Sequence, residues 1–220
     1  MPSSVKEWDS AYVLIDSAFT QRNVALVMEL YGSFTSPYVR HIRIALLESG
    51  IPFNFVETDA AGSAKLSPMQ KVPFLSFTDN GMQKTLTDSS AILKYIREQS
   101  GGTFFNDKQN TLAAFNSYCT ANTLLDTAIN LFYLEKDGLT AQQSAYLTRQ
   151  KSRLQTGLLE LEKLPFSTQA PYNDAELRIA CFLDWALFRE RITLNSLSAL
   201  QHFLDGVRQY PHFVATTPKG

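Results

Sequence analysis

The run Gly32-Ser33-Phe34-Thr35-Ser36-Pro37-Tyr38 sets a hydroxyl directly before a proline, at what reads as the turn from a strand into a helix. Proline suits the first helical turn, because the N–H it lacks would be unpaired there anyway. Ser36 then stands at or near the N-cap, where a serine oxygen accepts a backbone N–H. The same place suits a second use, since helix N-terminal amides favour an anion beside the hydroxyl. Spacing alone leaves both uses open. A Val-Pro pair in Lys71-Val72-Pro73-Phe74-Leu75 is either an ordinary proline opening a strand or, in cis, a fixed tight turn. In Leu86-Thr87-Asp88-Ser89-Ser90-Ala91-Ile92, Asp88 and Ser89 begin a helical pattern, and both types are favourable caps.

Short apolar runs alternating with helical periodicity position these residues, the mark of an α/β unit. Val24–Tyr31 reads as a strand, Tyr38–Ser49 as a helix ended by Gly50, and Pro52–Glu57 as a second strand. Phe74–Phe77 and Gln83–Leu86 form a hairpin around Asp79-Asn80-Gly81, whose Asn-Gly pair favours positive φ. Ser89–Glu98 closes the unit, with Ile92, Leu93 and Ile96 on one face. The order strand, helix, strand, strand, strand, helix is that of a thioredoxin-like domain. After Gly101-Gly102 the pattern turns helical throughout, over Thr111–Glu135, Ala141–Leu164, Ala175–Arg191 and Ser196–Tyr210. The expected organisation is an extension over 1–27, a thioredoxin-like domain over 28–105 and an all-α domain over 106–220. Within the extension, Trp8, Ala11, Tyr12, Ile15, Ala18, Phe19 and Arg22 follow helical steps; an appended or mis-started leader is the equal alternative, because Met28 opens the first strand-like run.

Composition narrows the function. Of 220 residues, 45% are hydrophobic and 19% charged, too apolar for a disordered chain. Twenty basic against twenty-one acidic residues leave a net charge of −1, which favours neither nucleic acid nor an anionic membrane. Cys119 and Cys181 sit apart in apolar helical runs and read as reduced core residues. Ala11 to Ile15 is broken by Asp16, too short for a signal or a membrane span, so a cytoplasmic protein is expected. His41, His202 and His212 have no metal-ligand spacing, and neither GxGxxG nor GxxxxGK[ST] occurs, so neither a metal nor a nucleotide cofactor is expected. Phe104, Phe105, Phe132, Tyr133, Phe182 and Trp185 read as core, some of them available to line a pocket between domains.

Ser36-Pro37-Tyr38-Val39-Arg40 followed by Arg43-Ile44-Ala45-Leu46 resembles the first-helix signature of glutathione S-transferases that use serine or cysteine. The Val72-Pro73 and Asp88-Ser89 elements follow in the family's order. Ala121-Asn122-Thr123-Leu124-Leu125-Asp126-Thr127-Ala128 is similar to the Ala-Asp-Gly-x-x-Asp-Ala run of bacterial members, and Asn173-Asp174-Ala175-Glu176 to the capping box that opens a buried helix. The resemblance spans roughly Val27 to Pro218, five motifs in order.

That resemblance implies a two-domain transferase architecture and glutathione as co-substrate. Ser36 would meet the glutathione sulfur, with Thr35 and Ser33 as fallback donors. Pro73 would be cis, Val72 would pair with the cysteinyl backbone as an added strand, and Lys71 would reach the glycyl carboxylate. Ser89 would bind the γ-glutamyl carboxylate with Asp88 near the ammonium group. Asp126 would either approach glutathione across a homodimer interface or lie on a solvated helix face. The implied reaction activates the thiol for attack on a small electrophile or a peroxide. Two rivals are a non-catalytic glutathione carrier or interaction protein, and a thiol transferase using Cys119; the latter is disfavoured by Phe115, Tyr118 and Leu125 nearby, which suggest a packed helix.

Overall fold

A computed structural model of the protein describes residues 28–102 and 111–218; the 1–27 extension, helix or leader, the boundary at 105/106 and Phe104 and Phe105 lie outside them. The first part runs β1 (Met28–Gly32), α1 (Pro37–Glu48), β2 (Phe53–Glu57), α2 (Ala60–Leu66), β3 (Phe74–Asp79), β4 (Met82–Leu86) and α3 (Ser89–Gln99). Its sheet has the order β2-β1-β3-β4, with β1 parallel to β2 and antiparallel to β3, and β3 antiparallel to β4. Asn80 and Gly81 turn the hairpin with φ of 51° and 78°, and Gly50 stands past α1 with φ of 62°. The thioredoxin-like reading therefore holds. Helix α2 is an addition to it. It has no apolar period and is started by Asp59, whose carboxylate accepts the Gly62 N–H at 2.7 Å.

The second part is helical: α4 (Thr111–Lys136), α5 (Ala145–Leu161), α6 (Asp174–Phe188), α7 (Ser198–Val207) and α8 (Pro211–Ala215). The expected helix from Ala141 divides into a 3₁₀ turn over Ala141–Gln143 and α5, because Ser144 is extended and accepts the Tyr146 N–H. The α8 turn, which starts on Pro211, was not anticipated. The Asn173 capping box is present: its side chain accepts from Ala175 and Glu176, while Glu176 accepts from Asn173.

Helix α1 joins the two parts, because its residues are buried on more than one side. Val39, Ile42, Ala45 and Leu46 pack with Leu30, Leu75 and the α3 residues Ile92, Leu93 and Ile96. Ile44 faces the other way, into the core built by α4, α5, α6 and α7. In return, Ala114, Tyr118 and Ala175 of the helical part enter the sheet-side core. Polar groups cross the same seam. Arg97 donates across it to Asp174 at 2.8 Å, and on its own side to Glu48 at 2.7 Å, and Arg40 pairs across it with Asp184 at 2.5 Å.

Candidate active site

A cleft of about 680 Å³ opens between the two parts, and every residue expected at the site lines it: Ser36, Lys71, Val72, Pro73, Asp88 and Ser89. Ser33 and Thr35 line it as well. The helical wall adds Asn122, Asp126, Ile129, Asn130 and Tyr133 along one face of α4, together with Phe132, the α6 residue Trp185 and the α6 C-cap Arg189. One wall is thus rich in hydroxyls, carboxylates and helix N-termini, and the other carries three aromatic rings.

Ser36 is the N-cap of α1, extended at φ −77° and ψ 123°, and its Oγ accepts the Val39 N–H at 3.4 Å. A hydroxyl that accepts in its cap keeps its hydrogen for another acceptor. Ser33 and Thr35 hydroxyls lie 3.0 Å apart and bond to each other, so one of their two hydrogens is already used. Gly32 makes this turn possible: a Cβ there would lie 2.4 Å from Val39 Cγ2, inside contact distance. At the second place, the Val72–Pro73 peptide is cis, as the resemblance implied. At the third, Asp88 is the N-cap of α3 and its Oδ1 accepts from Ser90 N–H at 2.8 Å and from Ala91 N–H at 3.3 Å. Ser89 is buried at the head of that helix.

The glutathione S-transferase N-terminal domain family matches residues 30–104. An uncharacterized GST-like protein of Escherichia coli (strain K12), YibF, is 31% identical over 173 residues, covering 74% of this chain and 83% of that protein. The chain belongs to the glutathione S-transferase family. Among solved structures of this family, a glutathione S-transferase of Methylobacterium radiotolerans in complex with glutathione sulfonate superposes with a TM-score of 0.74 at 22% identity, over 88% of this chain and 95% of that one. A glutathione transferase family member of Pseudomonas fluorescens Pf-5 with bound glutathione gives 0.72 at 24% identity, over 88% and 100%.

One expectation about a single residue is corrected, and another gains a contact. Asp126 is exposed on α4, and the Tyr38 hydroxyl of the same chain donates to its carboxylate. Burial, and then the bond to Asp126, push the Tyr38 phenol well above its ordinary range, so it stays protonated at neutral pH. Cys119 is exposed, not core, and lines a separate hollow of about 410 Å³ between α4 and α5 with Arg153 and Gly157. Tyr118 beside it is buried, and one residue of helical rotation carries the cysteine out of that core. It does not face the cleft, which removes the thiol-transferase rival. Cys181 is a core thiol as expected, and burial pushes it up to about 11.

Sequence reasoning missed Tyr38, Ser90 and Arg178. Only Arg178 left a signal: a lone cation inside Leu177-Arg178-Ile179-Ala180-Cys181-Phe182-Leu183, where full burial of an arginine is rare without a partner. His41, which the sequence leaves to a surface or a packing role, packs. It is fully buried, and its Nε2 lies 3.2 Å from Asp174 Oδ1. Burial lowers its pKa to about 4, although the Asp174 bond acts the other way, so the imidazole is neutral and donates from Nε2. Its Nδ1 has no partner, as a bare lone pair would allow. Burial would raise the Asp174 carboxyl, but the bonds from His41 and Arg97 outweigh it and hold the group low. Among the described residues, no three His, Cys, Asp or Glu side chains are grouped to hold a metal ion, and no helix is long and apolar enough to cross a membrane.

Proposed function

We propose that this protein is a glutathione transferase in which Ser36 holds the bound glutathione sulfur as thiolate for attack on an electrophile or a hydroperoxide. The observation that carries the reading is the Ser36 hydroxyl, which lines the cleft at the N-terminus of α1 while its oxygen is engaged by the Val39 N–H. The glutathione found in the Pseudomonas fluorescens family member supports the choice of ligand. A thiol with a pKa near about 8.5 is mostly protonated at pH 7, and the thiolate is the nucleophile. Each unit of depression needs about 1.4 kcal/mol in favour of the anion. A hydrogen bond from Ser36 to charged sulfur, at about 1.5–3 kcal/mol, supplies one to two units. The α1 N-terminus adds about 0.3–1 kcal/mol. Tyr38 cannot be the base, because its phenol stays protonated and its hydrogen already goes to Asp126.

In this reading the Val72 backbone pairs with the cysteinyl unit, Lys71 meets the glycyl carboxylate, and Ser89 takes the γ-glutamyl carboxylate with Asp88 beside the ammonium group. The rings of Phe132, Tyr133 and Trp185 offer the electrophile an apolar wall. A homodimer belongs to the proposal. Steady-state rates with several electrophiles and hydroperoxides, beside glutathione titration by calorimetry, test it. Turnover above the uncatalysed rate is expected. Tight glutathione binding with no such rate would make the protein a carrier instead.

A further inference from the structure

Helix α6 lies behind the α3 N-terminus and puts one cation there, Arg178, whose side chain is fully buried. A buried guanidinium is ordinarily matched by a carboxylate. Among the described residues none forms an ion pair with Arg178, and its Nε and Nη1 have no hydrogen-bond partner. Its Nη2 serves two neutral oxygens, Ser89 Oγ at 3.2 Å and the Tyr118 hydroxyl at 2.9 Å. The guanidinium carbon also stands 4.8 Å from the Tyr38 ring centre and 5.1 Å from that of Tyr118. Among the described residues this charge lacks a counter-ion.

The direction of the hydrogen bonds shows where a counter-ion belongs. Arginine donates only, so Ser89 Oγ and the Tyr118 oxygen both accept from it. Tyr118 has one hydrogen, and it goes to Ser90 Oγ at 3.0 Å. Ser90 Oγ is therefore also an acceptor. Each serine has one hydrogen left, and both residues line the cleft. Asp88 meanwhile satisfies the amides of Ser90 and Ala91, leaving the first amide of the helix, on Ser89, for a ligand. The result is a cluster of outward donors with a buried positive charge behind it, complementary to a carboxylate and poorly suited to a neutral or cationic group.

We propose that Arg178 is a positioning residue that fixes the Ser89 and Ser90 hydroxyls as donors into the cleft and takes the ligand's γ-glutamyl carboxylate as its missing counter-ion. The proposal rests on reading the cleft as a glutathione site. It gives Ser90 a part alongside Ser89 and makes this corner selective for an anion through a residue that does not touch the ligand.

Calorimetry with two ligands, glutathione and the 4-aminobutanoyl-cysteinyl-glycine analogue that lacks only the γ-glutamyl carboxylate, tests it on the wild type, Arg178→Met and Tyr118→Phe. The wild type should lose about tenfold or more on going to the analogue. Arg178→Met should lose a similar factor for glutathione and little for the analogue, and Tyr118→Phe should show the same selectivity at smaller size. An equal loss for both ligands would mean a merely structural arginine, and no loss for glutathione would mean no role; either overturns the proposal while leaving the reading of the cleft as a glutathione site intact. If Arg178→Met does not fold, the Tyr118→Phe comparison decides alone, with an equal or absent effect on the two ligands counting against the relay. A wild type that does not bind glutathione at all overturns both this proposal and the functional reading beneath it.

Discussion

The serine hydroxyls at this site share one arrangement. Ser36 accepts from a backbone amide and Ser89 from Arg178, so each has a hydrogen to give to an anion. For Ser36 the two duties separate experimentally. Ser36→Ala should raise the apparent pKa of bound glutathione by about one to two units, followed as thiolate absorbance in the ultraviolet, and lower turnover with little change in affinity. It should also cost about 1 kcal/mol of stability in urea unfolding through loss of the cap. A bound thiol that titrates unshifted in this variant would move the role to Thr35, the next hydroxyl in the turn.

The β1–α1 connection depends on one missing side chain. Gly32 ends β1, and Val39, in the first turn of α1, packs against its Cα; Val39 is fully buried and β-branched, so it has little freedom to retreat. Gly32→Ala should therefore destabilise the protein by about 1–3 kcal/mol and displace the Ser33–Ser36 turn, raising KM for glutathione. Wild-type stability and KM in that variant would show that the turn tolerates a Cβ. By contrast, Gly50 and Gly81 have open space around them and serve only their positive φ. Helix α6 illustrates a different balance. Its capping box is legible in sequence, yet it holds an arginine with two unpaired nitrogen atoms, a cost consistent with a role in ligand selection.

For the whole molecule, the α1–α3–α6 seam ties stability to pH through His41. Its folded pKa of about 4 lies below the ordinary 6.5, so between these values the unfolded chain binds a proton that the folded one does not. Stability is then fully present at neutral pH and is lost as pH falls through 6.5 towards 4. Asp174, held low, loses its own contribution at still lower pH and acts in the same sense. Urea unfolding at pH 7 and pH 5 should differ by about 2 kcal/mol, and His41→Gln should remove most of that difference. An equally steep variant would place the titrating group elsewhere.

What the residues themselves determine here is local. The Asn-Gly hairpin, the proline and serine that open α1, the Asp88 cap and the Asn173 capping box are satisfied within a few residues, so period and turn chemistry suffice to read them. The candidate residues from Ser36 to Ser89 were legible as cleft-lining positions for the same reason, since each sits at a strand end or a helix start. What escaped the sequence joins distant segments. Tyr38 and Asp126 meet across 88 positions, His41 and Asp174 across 133, and Arg178 and Ser89 across 89. Cys119 looked buried because its neighbours are apolar, and only the packing of α4 shows which side of the helix it occupies. Local hydrogen bonds and periodicity are written into adjacent residues, whereas the partner of a buried charge is chosen when two cores close on each other. The tertiary structure alone therefore decided which acid Tyr38 meets and which serines Arg178 turns towards the cleft.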